Sequence, residues 1–223
     1  MKKSAIIVAG GTGTRMNTAV PKQFLPVAGK PMVMHSLQAF MDAVPGISLV
    51  LALPRNHFDT WRKLCREYAF TAPHELTPGG ETRFHSVRNA LAITGDGLVA
   101  VHDGARPLLS GALILRTFME AERFGNCIPV IPVNESVRKI KGGLNRPVER
   151  DTLRIVQTPQ VFDSVLLRKA YQQDWQENFT DDATVVESMG GTIHLTEGDP
   201  ANIKITYRQD VAIAELLFEK LHA

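Results

Sequence analysis

Apolar runs of strand length alternate with segments of helical period along almost the whole chain, and this alternation limits the possible folds more than any other feature. Four runs are rich in Val, Ile, Leu and Ala at consecutive positions: residues 4–9, 47–53, 98–102 and 127–133. Strands buried on both faces of a parallel sheet have this composition, because neither face needs polar side chains.

Segments with the period of an amphipathic helix separate these runs. One begins just after Pro31, and residues 58–68, 82–93, 111–124 and 211–221 also indicate helices. Strands that alternate with helices in this way predict an α/β fold with a doubly wound, mostly parallel sheet. A chain of 223 residues is long enough for one such domain, and we expect residues 1–223 to form it.

Residues 134–157 break the alternation, since they are polar and strand-like. Gly142 and Gly143 in the sequence KGGLN mark a turn, and the apolar positions on either side of it are sparse. A two-stranded arm of this size is only marginally stable alone. We therefore expect a protruding β-arm that leans on a second subunit, and hence a homodimer.

The composition argues against several classes of partner. The net charge is +2 and basic residues are mixed with acidic ones, so a nucleic-acid-binding or membrane-binding surface is not expected. Two cysteines do not make a disulfide scaffold, and no Cys and His spacing fits a zinc site. The first apolar stretch ends at Gly10, too early for a signal peptide or a membrane span, so we expect a cytoplasmic protein.

A glycine-rich loop follows the first apolar run, in the sequence VAGGTGTRMNTAVPKQF, residues 8–24. Loops of this kind present backbone N–H groups to phosphate oxygens. The P-loop pattern fails here, because no glycine is followed by Lys-Ser or Lys-Thr. The dinucleotide pattern fits at Gly11 and Gly13 but has Met16 where a third glycine belongs, and the end of the second strand has ALPRNH where an acidic residue is expected.

The distinctive feature of this loop is a pair of cations, Arg15 and Lys22, seven residues apart, with Pro21 beside the lysine. Two fixed positive charges suit a phosphoryl group that gains charge as it reacts. The alternative is that both are solvated loop charges. The surrounding glycines and the PKQF sequence favour the functional interpretation.

Motifs in a fixed order resemble one family. The sequences AGGTGTRM and PKQFLPVAGKPM resemble the opening signature of nucleotidyltransferases that transfer a nucleoside monophosphate to a sugar or polyol phosphate. Five further stretches are similar to 2-C-methyl-D-erythritol 4-phosphate cytidylyltransferases: PGGETRFHSV, VHDGARP, RIVQTPQVF, FTDDATVVE and GDPANIKIT. The resemblance runs from about residue 6 to residue 215 and implies a Rossmann-like nucleotidyltransferase sheet.

The resemblance implies that CTP is the donor and a small polyol phosphate, methylerythritol phosphate, is the acceptor. An acceptor phosphate oxygen would attack the α-phosphorus of CTP, and pyrophosphate would leave. Arg15 and Lys22 match the cations that stabilise this transition state in the family. The residues implied on the nucleotide side are Ala9, Gly10, Gly11, Gly13, Gly80, Glu81, Arg83 and Ser86. Of these, Ala9, Gly10, Gly80, Glu81 and Ser86 match the family's pyrimidine pocket.

The acceptor side is implied by the same matching. Its residues are Arg106, Ser136, Arg150, Thr158, Thr180 and Lys204. Ser136 stands where the family usually has threonine, and Arg150 in the arm is expected to complete the site of the partner subunit. Without the resemblance, Arg150 would be read as a surface arginine on a hairpin.

Asp103 is the candidate ligand for Mg²⁺, because it ends a predicted strand at the edge where ligands bind in open α/β sheets. The alternative is an aspartate that makes a turn with Gly104.

Local patterns give three further predictions. Glu81 and Thr82 begin a helix, Thr180 caps another whose first turn holds Asp181 and Asp182, and Lys204 lies in a late strand.

Two other functions compete with this prediction. Ribitol 5-phosphate cytidylyltransferases share the glycine-rich loop and the PKQFLP sequence, whereas RDTLRIVQTPQVF favours the methylerythritol family. A nucleotide-binding module or an oxidoreductase, without transferase activity, is a rival of another class. The missing third glycine and the missing ribose-binding acid argue against a dinucleotide-binding form of it.

Overall fold

A computed structural model describes residues 1–10 and 21–222 of the chain, with the side chains described up to residue 220. Three predicted site residues, Gly11, Gly13 and Arg15, lie outside the described residues. The described part is built around a sheet of eight strands in the order β10-β7-β11-β6-β1-β4-β5, with β12 paired to β7. The strands of this sheet are Lys3–Val8 (β1), Ser48–Leu53 (β4), Glu75–Pro78 (β5), Leu98–Asp103 (β6), Asn126–Pro132 (β7), Arg154–Val156 (β10), Gln160–Asp163 (β11) and Leu195–Glu197 (β12).

The sheet is mixed and mostly parallel, as predicted. The neighbours of β1, which are β4 and β6, both run parallel to it, and β5 runs parallel to β4. Only β10 and β11, among the strands described, run against the rest. Small two-stranded sheets lie outside it: Pro26–Val27 (β2) pairs with Lys30–Pro31 (β3), and Val137–Lys141 (β8) pairs with Leu144–Val148 (β9).

Helices cover both faces of the sheet, which makes it doubly wound. They are Met32–Ala43 (α1), Phe58–Glu67 (α2), Arg83–Leu91 (α3), Gly111–Phe124 (α4), Ser164–Ala170 (α5), Asp182–Glu187 (α6) and Arg208–His222 (α7). Successive residues of β1 enter opposite cores: Ile7 packs with residues of α1 and α4, and Ile6 packs with residues of α3 and α5. The consecutive apolar runs of the sequence therefore fill two cores at once.

The hairpin of β8 and β9 forms the predicted arm, with its turn at Gly142 and Gly143, both at positive φ. Ile140 and Leu144 near its tip are 76% and 79% exposed. The last part of the predicted arm region differs from the prediction, because β10 (Arg154–Val156) pairs with β7 of the main sheet. The prediction of a strand around Lys204 is also wrong, since residues 202–206 have no strand structure.

Candidate active site

The carboxyl ends of three parallel strands meet at one edge of the sheet. Val8 at the end of β1 pairs with Asp103 at the end of β6 and with Ala52 in β4. The backbone N–H of Ala9 continues this register, donating to the carbonyl of Ala52 at 2.9 Å. The glycine-rich loop therefore leaves the sheet beside Asp103, where open α/β sheets bind ligands.

The predicted pyrimidine-binding residues gather around Ser86. Its Oγ accepts a hydrogen bond from the backbone N–H of Gly80 at 3.0 Å and donates to the carbonyl of Thr82 at 3.1 Å. A Cβ atom on Gly10 would lie 3.5 Å from the same Oγ. A Cβ atom on Gly80 would lie 2.3 Å from the Cβ of His85, so only glycine allows the chain to approach helix α3 this closely.

Thr82 caps helix α3, as predicted, and accepts from the backbone N–H of His85. Glu81 precedes the cap and is exposed. Within this group, Gly80 and Ser86 are hydrogen-bonded to each other, and Gly10 lies beside them. The structure thus brings together the small residues that the sequence assigns to the nucleotide base.

A second group of predicted residues lines a cavity of about 240 Å³ next to Asp103. The lining residues are Arg83, Asp103, Arg106, Val156, Gln157, Thr158, Gln160, Thr180, Asp181 and Lys204. Four of them belong to the predicted acceptor site: Arg106, Thr158, Thr180 and Lys204. These four come from distant parts of the chain, so their convergence is a result of the fold.

Asp103 lies between two cations. Its Oδ1 accepts from Nε of Arg83 at 3.1 Å, and its Oδ2 is 2.7 Å from Nζ of Lys204. Burial raises the pKa of Asp103, but the charges of Arg83 and Lys204 outweigh it and hold this pKa well below its ordinary value. Asp103 is therefore a carboxylate at neutral pH, and its charge keeps two cations at the cavity wall.

Asp103 is the candidate magnesium ligand at this cavity. Both oxygens of Asp103 already contact cations, and within residues 1–10 and 21–222 no three His, Cys, Asp or Glu side chains gather as metal ligands. Magnesium is normally held by one or two carboxylates together with phosphate oxygens. The assignment of Asp103 as a ligand of Mg²⁺ stays a prediction.

The lowered pKa of Asp103 predicts acid sensitivity. A carboxylate with a folded-state pKa below its unfolded value of about 3.9 adds stability above that pH, and the stability is lost as the pH falls below it. We expect the urea midpoint to fall as the pH is lowered below about 4, and the Asp103→Asn variant to show a smaller fall. The control is Asp59→Asn, since the Asp59 side chain is 95% exposed. If the urea midpoint of Asp103→Asn falls with pH as steeply as that of the wild-type protein, the prediction is contradicted.

Asp182 is a functional candidate that the sequence interpretation placed only in a helix cap, and that interpretation is incomplete. Its carboxylate is completely buried and accepts two hydrogen bonds from the guanidinium of Arg83, at 2.9 Å and 2.7 Å. The hydroxyl of Tyr171 donates to the same carboxylate at 2.6 Å. This bidentate pair fixes Arg83, which the sequence had assigned to the nucleotide side, against the acceptor cavity.

The cap of helix α6 is Asp181, and the prediction of Thr180 as the cap is wrong. Asp181 accepts from the backbone N–H of Thr184, and the Thr184 hydroxyl lies 3.3 Å from the backbone nitrogen of Asp181, which completes a capping box. The side chain of Gln160 also donates to Asp181, at 2.8 Å. Thr180 is exposed instead and lines the cavity together with other predicted acceptor residues.

Arg106 lies in the cavity wall and is only 8% exposed. Its guanidinium donates to the carbonyl of Asn202 at 2.7 Å and to that of Val156 at 3.4 Å. Its buried Nε has no hydrogen-bond partner among the described residues. Arg106 lines the cavity and its guanidinium donates to carbonyl oxygens there, so its charge is suited to an anionic ligand in the cavity.

His102 and Thr158 are joined behind the cavity. The Thr158 hydroxyl lies 3.0 Å from Nδ1 of His102, and Nε2 of His102 lies 3.2 Å from the carbonyl oxygen of Arg106. Burial lowers the pKa of His102 to about 4, so the imidazole is neutral at ordinary pH. The sequence interpretation gave no role to any histidine, although His102 stands inside the VHDGARP motif.

Lys22 lies at the start of a short 3₁₀ helix, Lys22–Phe24, after Pro21. Phe24 anchors this turn: it is 4% exposed, stacks on Trp61 at 6.1 Å between ring centroids, and meets the edge of His57. The backbone of Lys22 is therefore fixed to helix α2 through Phe24. Its predicted partner, Arg15, lies outside the described residues.

Ser136 and Arg150 do not join the cavity in this protomer. Both are exposed, and neither is among the residues that line the cavity. The guanidinium of Arg150 donates to the carbonyl of Asn134 at 2.8 Å, within the base of the arm.

Among the helices of the described chain, none is long and apolar enough to cross a membrane.

Comparisons with known proteins show the family of this chain. A family model described as 2-C-methyl-D-erythritol 4-phosphate cytidylyltransferase matches residues 4–220. A protein of that name from Bacteroides fragilis is 48% identical over 218 residues, which cover 97% of this chain and 100% of the relative. Another from Caldanaerobacter subterraneus is 35% identical over 99% of this chain and 100% of the relative.

Solved structures give the same result. The crystal structure of 2-C-methyl-D-erythritol 4-phosphate cytidylyltransferase from Thermus thermophilus is 32% identical, with a TM-score of 0.77, and the match covers 98% of this chain and 100% of that one. The 4-diphosphocytidyl-2C-methyl-D-erythritol synthase from Anaerococcus prevotii is 25% identical, with a TM-score of 0.82, covering 98% and 96%. The sheet with its helices is therefore the fold of a nucleotidyltransferase.

Proposed function

Because this chain belongs to the 2-C-methyl-D-erythritol 4-phosphate cytidylyltransferase family, we propose that its glycine-rich edge binds CTP and that the cavity beside Asp103 binds the acceptor. The enzyme is a nucleotidyltransferase of isoprenoid biosynthesis, which moves CMP from CTP to 2-C-methyl-D-erythritol 4-phosphate and releases pyrophosphate. The assignment of each residue below is our proposal.

The charge of the cavity carries the assignment of the acceptor. Its charged lining residues are three cations, Arg83, Arg106 and Lys204, and two carboxylates, Asp103 and Asp181. Asp181 is engaged as a helix cap, Asp103 contacts Arg83 and Lys204, and buried Asp182 holds Arg83 in a bidentate pair. The guanidinium of Arg106, which donates to carbonyl oxygens, and the ammonium of Lys204 are the cations that suit a phosphate.

The reaction needs positioning and charge neutralisation more than a covalent nucleophile. CTP bound over Gly10, Gly80 and Ser86 would place its triphosphate along the loop that leads to Lys22. Lys22 and Arg15 would neutralise the charge that develops on the α-phosphate as the acceptor oxygen attacks and pyrophosphate leaves. Small residues around the base would exclude a purine by size.

We include Mg²⁺ in the proposal as a requirement of the reaction, with no protein ligand set assigned. A divalent cation supplies charge neutralisation to phosphate oxygens when it is bound. We also propose that the protein is cytoplasmic, where its small-molecule substrates would be available.

The arm supports a homodimer in which Arg150 and Ser136 of one subunit complete the acceptor site of the other. Both residues are on an exposed arm with exposed Ile140 and Leu144, away from the cavity of their own protomer. We expect Arg150→Ala to raise KM for the acceptor with little change in KM for CTP, as measured by initial rates. An unchanged KM for the acceptor would contradict the role of the arm.

Mixing two variants, assayed at an acceptor concentration so low that Arg150→Ala is nearly inactive, tests the exchange of arms. Subunits with Arg150→Ala and subunits with Lys22→Ala, refolded together, would form mixed dimers with one complete site each. Random pairing then restores about a quarter of the wild-type activity. No restored activity, with mixed dimers shown by a tag on one subunit, would place Arg150 outside the partner's site.

An assay with CTP, Mg²⁺ and a panel of polyol phosphates tests the function. We expect pyrophosphate release with 2-C-methyl-D-erythritol 4-phosphate, its loss on addition of EDTA, and much slower release with ribitol 5-phosphate. Faster release with ribitol 5-phosphate would assign the enzyme to the other acceptor. CTP with Mg²⁺ should raise the melting temperature and NAD should not, so binding without turnover would indicate a nucleotide-binding module.

A further inference from the structure

A chain of hydrogen bonds fixes the direction of the Thr158 hydroxyl. The backbone N–H of Asp103 donates to Oγ1 of Thr158 at 3.1 Å, and the same oxygen lies 3.0 Å from Nδ1 of His102. Nε2 of His102 lies 3.2 Å from the carbonyl oxygen of Arg106. A carbonyl oxygen can only accept, so Nε2 carries the hydrogen of the imidazole.

The ring is completely buried, and the partners described for its two nitrogens are a carbonyl oxygen and a hydroxyl, so an uncharged imidazole is the form that fits this site. Its remaining nitrogen, Nδ1, can then only accept. Thr158 must therefore donate its single hydroxyl hydrogen to His102. One lone pair of its oxygen already accepts from the backbone N–H of Asp103, which leaves one lone pair on a residue that lines the cavity. In this state, Thr158 can receive a hydrogen bond from a ligand but cannot donate one.

The surroundings of His102 hold the ring in this orientation. His102 is completely buried, and Phe40 of helix α1 lies edge-on to it at 5.7 Å between ring centroids. The hydroxyl of Ser36, also buried, lies 3.3 Å from the same Arg106 carbonyl oxygen that Nε2 contacts. His102 is not among the residues that line the cavity, so it acts on a ligand only through Thr158 and Arg106.

We propose that His102 is a positioning residue which makes Thr158 a hydrogen-bond acceptor, so that Thr158 recognises a hydroxyl group of the polyol acceptor and not its phosphate. A phosphate dianion has no hydrogen to donate and would be repelled by the lone pair of Thr158. A polyol hydroxyl has a hydrogen that it can donate. The phosphate of the acceptor is bound by Arg106 and Lys204. Thr158 accepts a hydrogen bond from the hydroxyl group on one carbon of the acceptor.

Deoxy analogues of the acceptor, each lacking one hydroxyl, test this proposal. For wild-type enzyme, we expect kcat/KM to fall about tenfold for one analogue. Thr158→Val should lose about the same factor on the intact acceptor and nothing more on that analogue, whereas Thr158→Ser should keep the wild-type ratio. If Thr158→Val lowers kcat/KM equally for every analogue, Thr158 contacts the phosphate and the proposal is wrong.

A matched pair of variants isolates the role of His102. The amide oxygen of His102→Asn can replace Nδ1 as the acceptor from Thr158, whereas the longer His102→Gln places its amide near the position of Nε2. We expect His102→Asn to keep most of the discrimination between intact and deoxy acceptor, and His102→Gln to lose it, at similar KM for CTP. Equal discrimination in both variants would overturn the role of His102.

Nitrogen-15 NMR of histidine-labelled wild-type enzyme tests the same point without a variant or an activity. We expect His102 to carry its hydrogen on Nε2, and a hydrogen on Nδ1 would overturn the proposal. The proposal rests on the acceptor site described above. Wild-type enzyme that does not turn over any polyol phosphate would refute that function, whereas normal turnover with unchanged ratios in Thr158→Val would refute only the proposal for His102 and Thr158.

Discussion

Replacing Lys22 with alanine is expected to lower kcat by roughly a hundredfold or more, with a smaller change in KM for CTP. The reason is that the charge of Lys22 would act mainly on the transition state, when negative charge builds on the α-phosphate. The 3₁₀ turn that carries Lys22 is anchored by buried Phe24, so the variant should keep its fold. Single-turnover measurements at saturating CTP would give the rate of the chemical step.

Lys30 provides the matched control, since it is an exposed lysine eight residues along the same segment. Lys30→Ala should keep kcat near the wild-type value. Arg15→Met should resemble Lys22→Ala. Near-normal turnover in Lys22→Ala, with its fold confirmed by CTP-dependent thermal stabilisation, would contradict the proposed role of this cation.

Replacing Asp182 with asparagine is expected to lower the free energy of unfolding by about 3 kcal/mol. The variant leaves the guanidinium of Arg83 without its bidentate partner and changes the group that accepts from the Tyr171 hydroxyl. Arg83 keeps Asp103 as a second partner and its side chain is 24% exposed, so the loss should be at the lower end of that for a broken buried pair. Urea unfolding followed by circular dichroism measures it.

The exposed pair of Arg168 and Asp96 is the control for Asp182. Its atoms are 2.7 Å apart, as in the buried pair, but the Asp96 side chain is 90% exposed. Asp96→Asn should therefore cost less than about 1 kcal/mol. Equal losses in the two variants would show that burial does not strengthen the pair of Arg83 and Asp182.

The central part of the fold was predictable from the sequence, because each long strand has apolar residues for two cores. Helix α4, for example, was predicted at residues 111–124, which are its bounds in the structure. Short elements such as β11 and β12 were missed. A segment of three or four residues is too short to show a period of hydrophobic residues in the sequence. β11 and β12 form strands because they pair with β6 and β7.

Local patterns also failed where contacts from elsewhere decide the structure. Thr180 and Asp181 are both good capping residues, and Gln160, 21 residues away from Asp181, contributes to the choice of Asp181. Alternating Ile203, Lys204 and Ile205 indicated a strand. Instead, Ile205 is buried against residues of α1 and α7, and its N–H bonds to the carbonyl of Ala105.

The site was predicted from motifs, and its connections came from the fold. The resemblance pointed to Asp103 and Lys204, which the structure places 2.7 Å apart between oxygen and nitrogen. It gave no sign that Arg83 would pair with Asp182, because the two lie 99 residues apart in sequence. The position of His102 within VHDGARP was the only sequence signal for its role, and a strand histidine of this kind is usually part of a core.

A crystal structure of the enzyme with CTP would show whether two cations lie beside the α-phosphate, as the proposed mechanism requires. We expect Nζ of Lys22 and the guanidinium of Arg15 within hydrogen-bond distance of triphosphate oxygens, with cytosine against Gly80 and Ser86. If either side chain pointed into solvent away from the triphosphate, the proposed mechanism would be contradicted.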